Sequence, residues 1–131
     1  MAGYQKIHLD ASMACADDPK NGPDERTVAD CAAELCETAE KAFRELAPNS
    51  PPLLYVVGTE VPAPGGESQP QQSICVTTAE HVRSTLEAFR RAFEKRGLNR
   101  AWERVIGMVV EPGAEFGENN LFDYDRQKAK G

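Results

Sequence analysis

The sequence predicts an α/β fold in which the strands of a parallel sheet alternate with helices. Apolar runs of strand length lie at residues 4–10, 53–57 and 105–110. Two segments between these runs carry apolar residues at spacings of three and four, the period of an amphipathic helix. Strands that alternate with helices form a parallel sheet with right-handed crossovers, and runs apolar on both faces are typical of strands covered on both sides. The predicted order is therefore β-α-β-α-β.

Length and composition limit the classes of protein that fit this chain. Its 131 residues suffice for one domain, and its net charge of -6 argues against sequence-independent binding of nucleic acid. No apolar run approaches the ~20 residues of a membrane span. The first residues show no signal peptide, so we expect a cytoplasmic protein. The four cysteines form no CxxC pair, and we expect them to be free thiols: Cys15, Cys31, Cys36 and Cys75.

The first helix is predicted to begin after Asp24, which can cap it, and to end near Leu46, before Pro48. Apolar residues recur along this segment at helical spacing, and charged residues lie between them. The predicted apolar stripe consists of Val28, Cys31, Leu35, Ala39, Ala42, Phe43 and Leu46.

The second helix is predicted to follow a capping box formed by Thr77 and Glu80, and to end before Gly97. Its apolar stripe would consist of Val82, Leu86, Phe89 and Phe93. We expect Trp102 to pack the short segment 99–104 onto the sheet, because Trp is chiefly a hydrophobic anchor.

Each apolar run is followed by an acidic residue. Asp10 follows the first run, Glu60 the second, and Glu111 and Glu115 the third. Ligands of α/β proteins bind at the carboxyl ends of the strands, so we expect these carboxylates on one side of the sheet. A polar loop at 59–77 carries Glu60, and its length and Pro/Gly content predict a functional or partly mobile segment.

Local chemistry leaves the roles of these residues open. His8 and Asp10 are two apart on one strand and face the same way, so they suit a metal or an acid–base pair, although spacing alone favours a satisfied polar pair. Asp17 and Asp18 precede a proline and fit either a cation site or a turn. Glu60 is either an ion-pair partner or a functional carboxylate. Without a P-loop or nucleophile elbow, the residues indicate only a sugar- or metabolite-type enzyme with an acidic site.

Three longer segments carry a resemblance to a known family. Residues 4–19 resemble the signature HLDxSMxCADDP, residues 55–66 resemble YVIGTEVPxPGG, and residues 97–116 resemble a block that ends in VVQPGVEF. These are motifs of the GatZ/KbaZ family, the subunits of class II D-tagatose-1,6-bisphosphate aldolase usually called non-catalytic and once labelled tagatose-6-phosphate kinases. Glu111 and Ala114 depart from the third motif.

The resemblance implies a fold and a role. The family's fold is a TIM (β/α)₈ barrel, which takes ~250 residues, so the chain would be a single partial β-α-β-α-β segment of one. The implied role is that of supporting subunit in a lyase complex of galactitol- or N-acetylgalactosamine-type carbohydrate catabolism. Its implied partners are a catalytic class II aldolase subunit and a sugar phosphate, with no nucleic acid or membrane. Association of the chain with further copies of itself is an additional possibility, and no independent activity is expected of this partial segment.

A more distant similarity, to the catalytic class II aldolases, implies roles for individual residues. Those enzymes carry an H-L-D-H segment whose Asp is the acid–base group and whose second His binds zinc, and here Ala11 stands in that histidine's place. Asp10 and Glu60 are then the implied catalytic pair, and His8 and Glu60 the implied ligands of a divalent metal, with zinc in the catalytic partner. The implied substrate-binding residues are His8, Asp17, Asp18 and Glu115. The alternatives are a metal-dependent ketose-phosphate 4-epimerase or isomerase and an inactive truncated chain.

Overall fold

The computed structural model describes residues 4–12, 23–58 and 77–110. Helices and strands alternate along them, which confirms the predicted β-α-β-α-β order and adds one short helix. The elements are β1 (Lys6–His8), α1 (Glu25–Leu46), β2 (Leu54–Val57), α2 (Ala79–Lys95), α3 (Asn99–Trp102) and β3 (Val105–Met108).

The strands form one parallel sheet in the order β1-β2-β3. Ile7 lies opposite Tyr55, and Tyr55 lies opposite Val105. The register then shifts between Tyr55 and Val56, so that Val56 faces Gly107 and Ile106 has no partner on β2. Because both pairings are parallel, the carboxyl ends of all three strands meet at the same edge of the sheet.

One face of the sheet carries the core. Tyr55 and Val57 point beneath the helices and are fully buried, whereas Leu54 and Val56 on the opposite face are only partly buried. Lys6 and His8 are exposed, and Ile106 keeps 57% of its surface in solvent. Within the described ranges the helices cover one face of the sheet, and coverage of the opposite face stays a prediction.

Helix α1 begins and ends where the sequence predicts. The Asp24 carboxylate accepts a hydrogen bond from the Thr27 amide at 2.8 Å and caps the first turn. The hydrogen bonds from the Thr27 backbone and side chain hold the pKa of Asp24 below its usual value. The last residue of the helix is Leu46.

The buried side of α1 differs from the predicted stripe. Small residues dominate it: Val28, Ala29, Ala32, Ala33 and Cys36. Val28 belongs to both sets, and Ala39 and Phe43 pack against the core, but the rest of the predicted stripe is exposed: Cys31, Leu35, Ala42 and Leu46. The predicted stripe combined residues from two adjacent apolar sides of the helix. Helical spacing alone does not show which of the two sides packs against another element.

Helix α2 starts one residue later than the capping box suggests. Thr78, not Thr77, is the N-cap, and its hydroxyl accepts from the His81 amide at 3.2 Å. At the other end Gly97 has φ 70°, its amide donates to the Glu94 carbonyl, and the Leu98 amide donates to the Phe93 carbonyl. This is a Schellman motif, so the predicted role of Gly97 is confirmed.

Segment 99–104 is held in part by aromatic packing. The ring of Trp102 meets Phe93 edge-on, with centroids 5.4 Å apart. Phe89 and Phe93 are fully buried, whereas Val82 and Leu86 at the start of the predicted stripe are partly exposed. Trp102 is thus a packing residue as expected, and its ring partner belongs to α2.

The two long helices lie on the same face of the sheet. Helices α1 and α2 pack against each other and share one core with β2. Strands that are neighbours in chain order with their connecting helices on one face occur in consecutive β/α units of a barrel and in each half of a doubly wound sheet. No helix in the described ranges is both long and apolar enough to cross a membrane.

Candidate functional site

The carboxyl edge of the sheet is where the structure places Asp10. Backbone pairing with β2 continues one residue beyond the end of β1, because the Leu9 amide donates to the Val56 carbonyl at 2.9 Å. The Leu9 side chain is buried, with 2% of its surface exposed. Asp10 follows it and is exposed. A buried anchor therefore holds the backbone immediately before the exposed carboxylate.

Ser12 fixes the orientation of that carboxylate. Its hydroxyl donates to Asp10 Oδ1 at 2.8 Å, and its amide donates to the same oxygen at 3.2 Å. Asp side chains commonly bond the backbone two residues on in this way. Within the described ranges only Oδ1 of this carboxylate is seen to accept hydrogen bonds. Ser12 is not among the residues predicted from the sequence, although the Asp-x-Ser spacing carries the signal.

Gly58 determines how β2 and β3 approach each other at this edge. A Cβ on Gly58 would lie 2.9 Å from the Val109 Cβ and 3.1 Å from both the Val109 nitrogen and oxygen. The same contact carries a hydrogen bond from the Val109 amide to the Val57 carbonyl at 2.8 Å. Only glycine allows this approach without displacing backbone. A glycine directly after a buried strand was the signal in the sequence.

The structure describes only some of the predicted site residues. His8 and Asp10 lie two positions apart on β1 and its continuation, and both are exposed. The other residues lie outside the described ranges: Asp17, Asp18, Glu60, Glu111 and Glu115. The prediction that these carboxylates share one side of the sheet stays a prediction, and so do their proposed roles.

A metal site is not complete within the described part of the chain. No group of at least three His, Cys, Asp or Glu side chains lies close enough together there to hold an ion. His8 and Asp10 are at most part of such a set, and Oδ1 of Asp10 is already occupied by Ser12. Of the two implied metal ligands only His8 lies in the described ranges, so the divalent metal that the family resemblance implies stays a prediction.

A second polar cluster lies at the opposite, amino-terminal edge of the sheet. Arg104 donates from Nη1 and Nη2 to the two oxygens of Glu40, at 2.9 and 2.8 Å. The Tyr55 hydroxyl donates to Glu40 Oε1 at 2.6 Å, and Arg104 Nη1 also donates to the Leu53 carbonyl at 2.6 Å. The Arg104 guanidinium lies 5.8 Å from the centroid of the Tyr55 ring. These contacts tie α1 to β2 and to the segment before β3.

The electrostatics of this cluster indicate a structural role. Burial alone would raise the pKa of Glu40, but hydrogen bonds from Arg104 and Tyr55 outweigh it and hold that pKa below its usual value. Burial, and then the bond to Glu40, raises the pKa of Tyr55 far above its usual value. Burial raises the pKa of the Cys36 thiol to about 11, so it stays protonated at neutral pH. Ligands bind at the carboxyl ends of the strands in such folds, so a cluster at the amino-terminal edge serves stability rather than chemistry.

Fold and edge geometry define the class of protein: an α/β protein with consecutive parallel β/α units and an oriented carboxylate at the edge where such proteins bind ligands. Residues 1–131 match the family model described as D-tagatose-1,6-bisphosphate aldolase subunit GatZ/KbaZ-like. The chain belongs to this family, which confirms the resemblance seen in its motifs.

A solved structure supports the assignment. The chain is similar to a probable tagatose 6 phosphate kinase from Sinorhizobium meliloti 1021, known from a crystal structure, with 37% sequence identity and a TM-score of 0.72. The match covers 98% of this chain but only 28% of that protein. The chain therefore spans less than a third of the length of this relative.

Proposed function

We infer that this chain contributes consecutive units of a (β/α)₈ barrel to the supporting subunit of a class II D-tagatose-1,6-bisphosphate aldolase. The observation that carries this proposal is the match of the whole chain to the aldolase-subunit family. The parallel sheet, whose strands are neighbours in chain order and whose helices α1 and α2 pack together, supports the barrel, because consecutive β/α units of a barrel have this arrangement. The 28% coverage of the solved relative leaves room for the remaining units.

The proposed division of labour follows from the residues at the carboxyl edge. Ala11 stands where the catalytic class II aldolases carry a zinc-binding histidine, so cleavage of the bisphosphate to two triose phosphates is assigned to a catalytic partner. The Asp10 carboxylate, fixed by Ser12, is suited to accept a hydrogen bond from a sugar hydroxyl. The proposed setting is carbohydrate catabolism, in which the subunit would support the partner that acts on the sugar phosphate.

Co-expression with a catalytic class II tagatose-bisphosphate aldolase subunit tests the proposal. We expect the tagged 131-residue chain to retain the partner on an affinity column and to slow the loss of the partner's aldolase activity on heating. The Asp10→Asn variant is expected to retain the partner equally, because the exchange leaves the packing unchanged. Absence of both retention and protection would contradict the supporting role.

The alternative of a ketose-phosphate 4-epimerase is favoured by one observation, the Asp10 carboxylate held by two hydrogen bonds from Ser12. A proton-transferring group must be held within reach of its substrate, and the Ser12 bonds provide such positioning. Epimerisation of fructose 6-phosphate by the purified chain, assayed with and without a divalent metal, tests this function. Turnover that falls at least about 100-fold in Asp10→Asn would establish it. No turnover under either condition would reject it.

A further inference from the structure

A cavity at the amino-terminal edge of the sheet has an excess of positive charge on its walls. Its volume is about 830 Å³, within the range of about 300–1,000 Å³ typical of pockets for small molecules. It lies between the second half of α1, the segment before β2 and the chain that runs from the end of α2 to β3. Its charged residues are four arginines and two glutamates, in a chain whose net charge is -6. They are Glu37, Glu40, Arg44, Arg96, Arg100 and Arg104.

Two of the four arginines are paired with acidic side chains. Arg104 binds both carboxylate oxygens of Glu40, at 2.9 and 2.8 Å. Arg96 donates from Nη1 to Glu37 at 2.8 Å and from Nη2 to Glu34 at 3.2 Å. Both glutamates of the cavity therefore already have a cationic partner, and the excess positive charge lies on the other two arginines.

These two arginines, Arg44 and Arg100, have donors to offer a ligand. Arg44 donates from Nε to the Glu40 carbonyl of its own helix at 3.2 Å, a bond that does not engage its two Nη groups. Arg100 is exposed. No acidic side chain in the described ranges forms an ion pair with either guanidinium. Each residue stands in the last turn of its helix, where the helix dipole favours a cation, but that interaction uses no N–H donor.

The Glu40–Arg104 pair holds Arg44 and Arg100 beside the same cavity. Arg44 follows Glu40 by about one helical turn and is bonded to its carbonyl. Arg100 precedes Arg104 by the same spacing, and its carbonyl accepts a hydrogen bond from Arg104 Nε at 3.1 Å. The ion pair therefore joins the two backbone segments that carry these arginines. Groups that are held in place before a ligand arrives lose less conformational freedom when they bind it.

We propose that Arg44 and Arg100 bind a small phosphate-bearing anion in this cavity. A guanidinium group presents paired N–H donors in a planar fork that matches the oxygens of a phosphate. Two such groups suit a ligand with more than one negative charge. Active sites of α/β folds lie at the carboxyl edge, where Asp10 is found, so this would be an accessory binding site. The inference goes beyond the proposed function and does not rest on it.

Equilibrium dialysis of the purified 131-residue chain against pyrophosphate, at constant ionic strength, tests the proposal. We expect saturable binding that Arg44→Gln and Arg100→Gln each weaken at least about tenfold, the effect of losing one charge-assisted contact. Arg83→Gln is the matched control, because Arg83 is an exposed arginine of α2 that does not line the cavity. It should change the dissociation constant by less than about twofold, since salt screens exposed charges. Absence of saturable binding, or equal binding by all three variants, would overturn the proposal.

Citrate separates phosphate recognition from attraction of any anion. It carries a similar charge on carboxylates, and binding as tight as that of pyrophosphate would overturn the assignment of a phosphate ligand. Pyrophosphate should also raise the apparent urea midpoint of the wild-type chain, because a ligand of the folded state stabilises that state. An unchanged midpoint at saturating pyrophosphate would contradict binding to the folded chain.

Far-UV circular dichroism checks that the variants fold. Both glutamine variants should match the wild type, because Arg44 and Arg100 are exposed. A glutamine variant that lost its helix signal would be replaced by the lysine variant at the same position, which keeps the charge but not the planar fork. The lysine variant should still weaken pyrophosphate binding, and binding equal to that of the wild type would overturn the proposal.

Discussion

Gly58 is a residue whose missing side chain determines the geometry of the site edge. A Cβ there would approach Val109 to 2.9 Å, a distance that real Cβ contacts essentially never show. Gly107, on the neighbouring strand, would place a Cβ 3.8 Å from a Val56 methyl, which is ordinary van der Waals contact. A methyl group should therefore destabilise the fold at Gly58 and be tolerated at Gly107.

We predict that Gly58→Ala loosens the β2–β3 edge, because the Val109 backbone must move to admit the methyl group. The overpacking should cost about 1–3 kcal/mol. Hydrogen exchange of the Val109 amide, which donates to the Val57 carbonyl, should become at least about tenfold faster. Gly107→Ala is the control and should leave that rate nearly unchanged. Equal rates in both variants would contradict the steric role of Gly58.

The Glu40–Arg104 pair predicts a pH-dependent contribution to stability. The Glu40 pKa in the folded chain lies below its ordinary value of 4.5, so the pair stabilises the fold fully above that value. The contribution is lost as pH falls through the lower, folded-state pKa. At pH 7 Glu40→Gln should cost roughly 1–3 kcal/mol, because Arg104 loses its ionic partner while only 20% of its side chain is exposed.

The measurement is the apparent urea midpoint of wild type and Glu40→Gln between pH 7 and pH 3. The difference between them should shrink as the pH falls below 4.5. Glu94→Gln is the matched control, because its bond to Arg90 is solvent-exposed and worth at most about 1 kcal/mol. A difference that stays constant over this pH range would show that Glu40 acts through packing alone.

At the scale of elements, the end of α2 depends on a left-handed residue. Gly97 has φ 70°, and a Cβ there would meet nothing within 4 Å. We therefore predict that Gly97→Ala destabilises the chain by about 1 kcal/mol through backbone strain alone. Gly97→Asn should cost less, because Asn tolerates this conformation. The apparent urea midpoint should be highest with Gly at position 97, lower with Asn and lowest with Ala. Equal midpoints would contradict the prediction.

Most element boundaries could be predicted from the sequence because local chemistry sets them. Asp24 caps α1, Gly97 ends α2, and the apolar runs form the strands. The buried side of α1 could not be predicted fully, since Leu35 and Ala32 are equally apolar in the pattern and only the neighbouring elements decide which is covered. Packing, unlike capping, depends on what lies beside the helix.

The site divides in the same way. Asp10 could be placed at the carboxyl edge because it follows an apolar strand, and the structure describes it there. The Glu40–Arg104 pair was missed because its members lie 64 positions apart and look like ordinary surface charges. The roles of Glu60, Asp17, Asp18 and Glu115 remain predictions from the family resemblance, since these residues lie outside the described ranges.

At the scale of the whole molecule, the described sheet has open surfaces on several sides. Among residues 4–12, 23–58 and 77–110, strands β1 and β3 each pair on one edge only, and the face opposite the helices carries exposed Ile106 and partly buried Leu54 and Val56. Parallel sheets are normally covered on both faces, and open edges promote association. Burying one such aliphatic side chain is worth about 1.5–3 kcal/mol, a large share of the ~5–15 kcal/mol that stabilises a typical domain.

We therefore predict that the 131-residue chain associates in solution when it is purified alone. Sedimentation velocity at increasing concentration should show species larger than a monomer. Ile106→Lys should reduce the association, because it places a charge on the open face where 57% of the side chain is exposed. Ser84→Lys, which adds the same charge at an exposed position of α2 beside α1, on the helix-bearing side of the sheet, should not. A monodisperse monomer with a sharp thermal transition would contradict the prediction and show that the described core suffices for an independent fold.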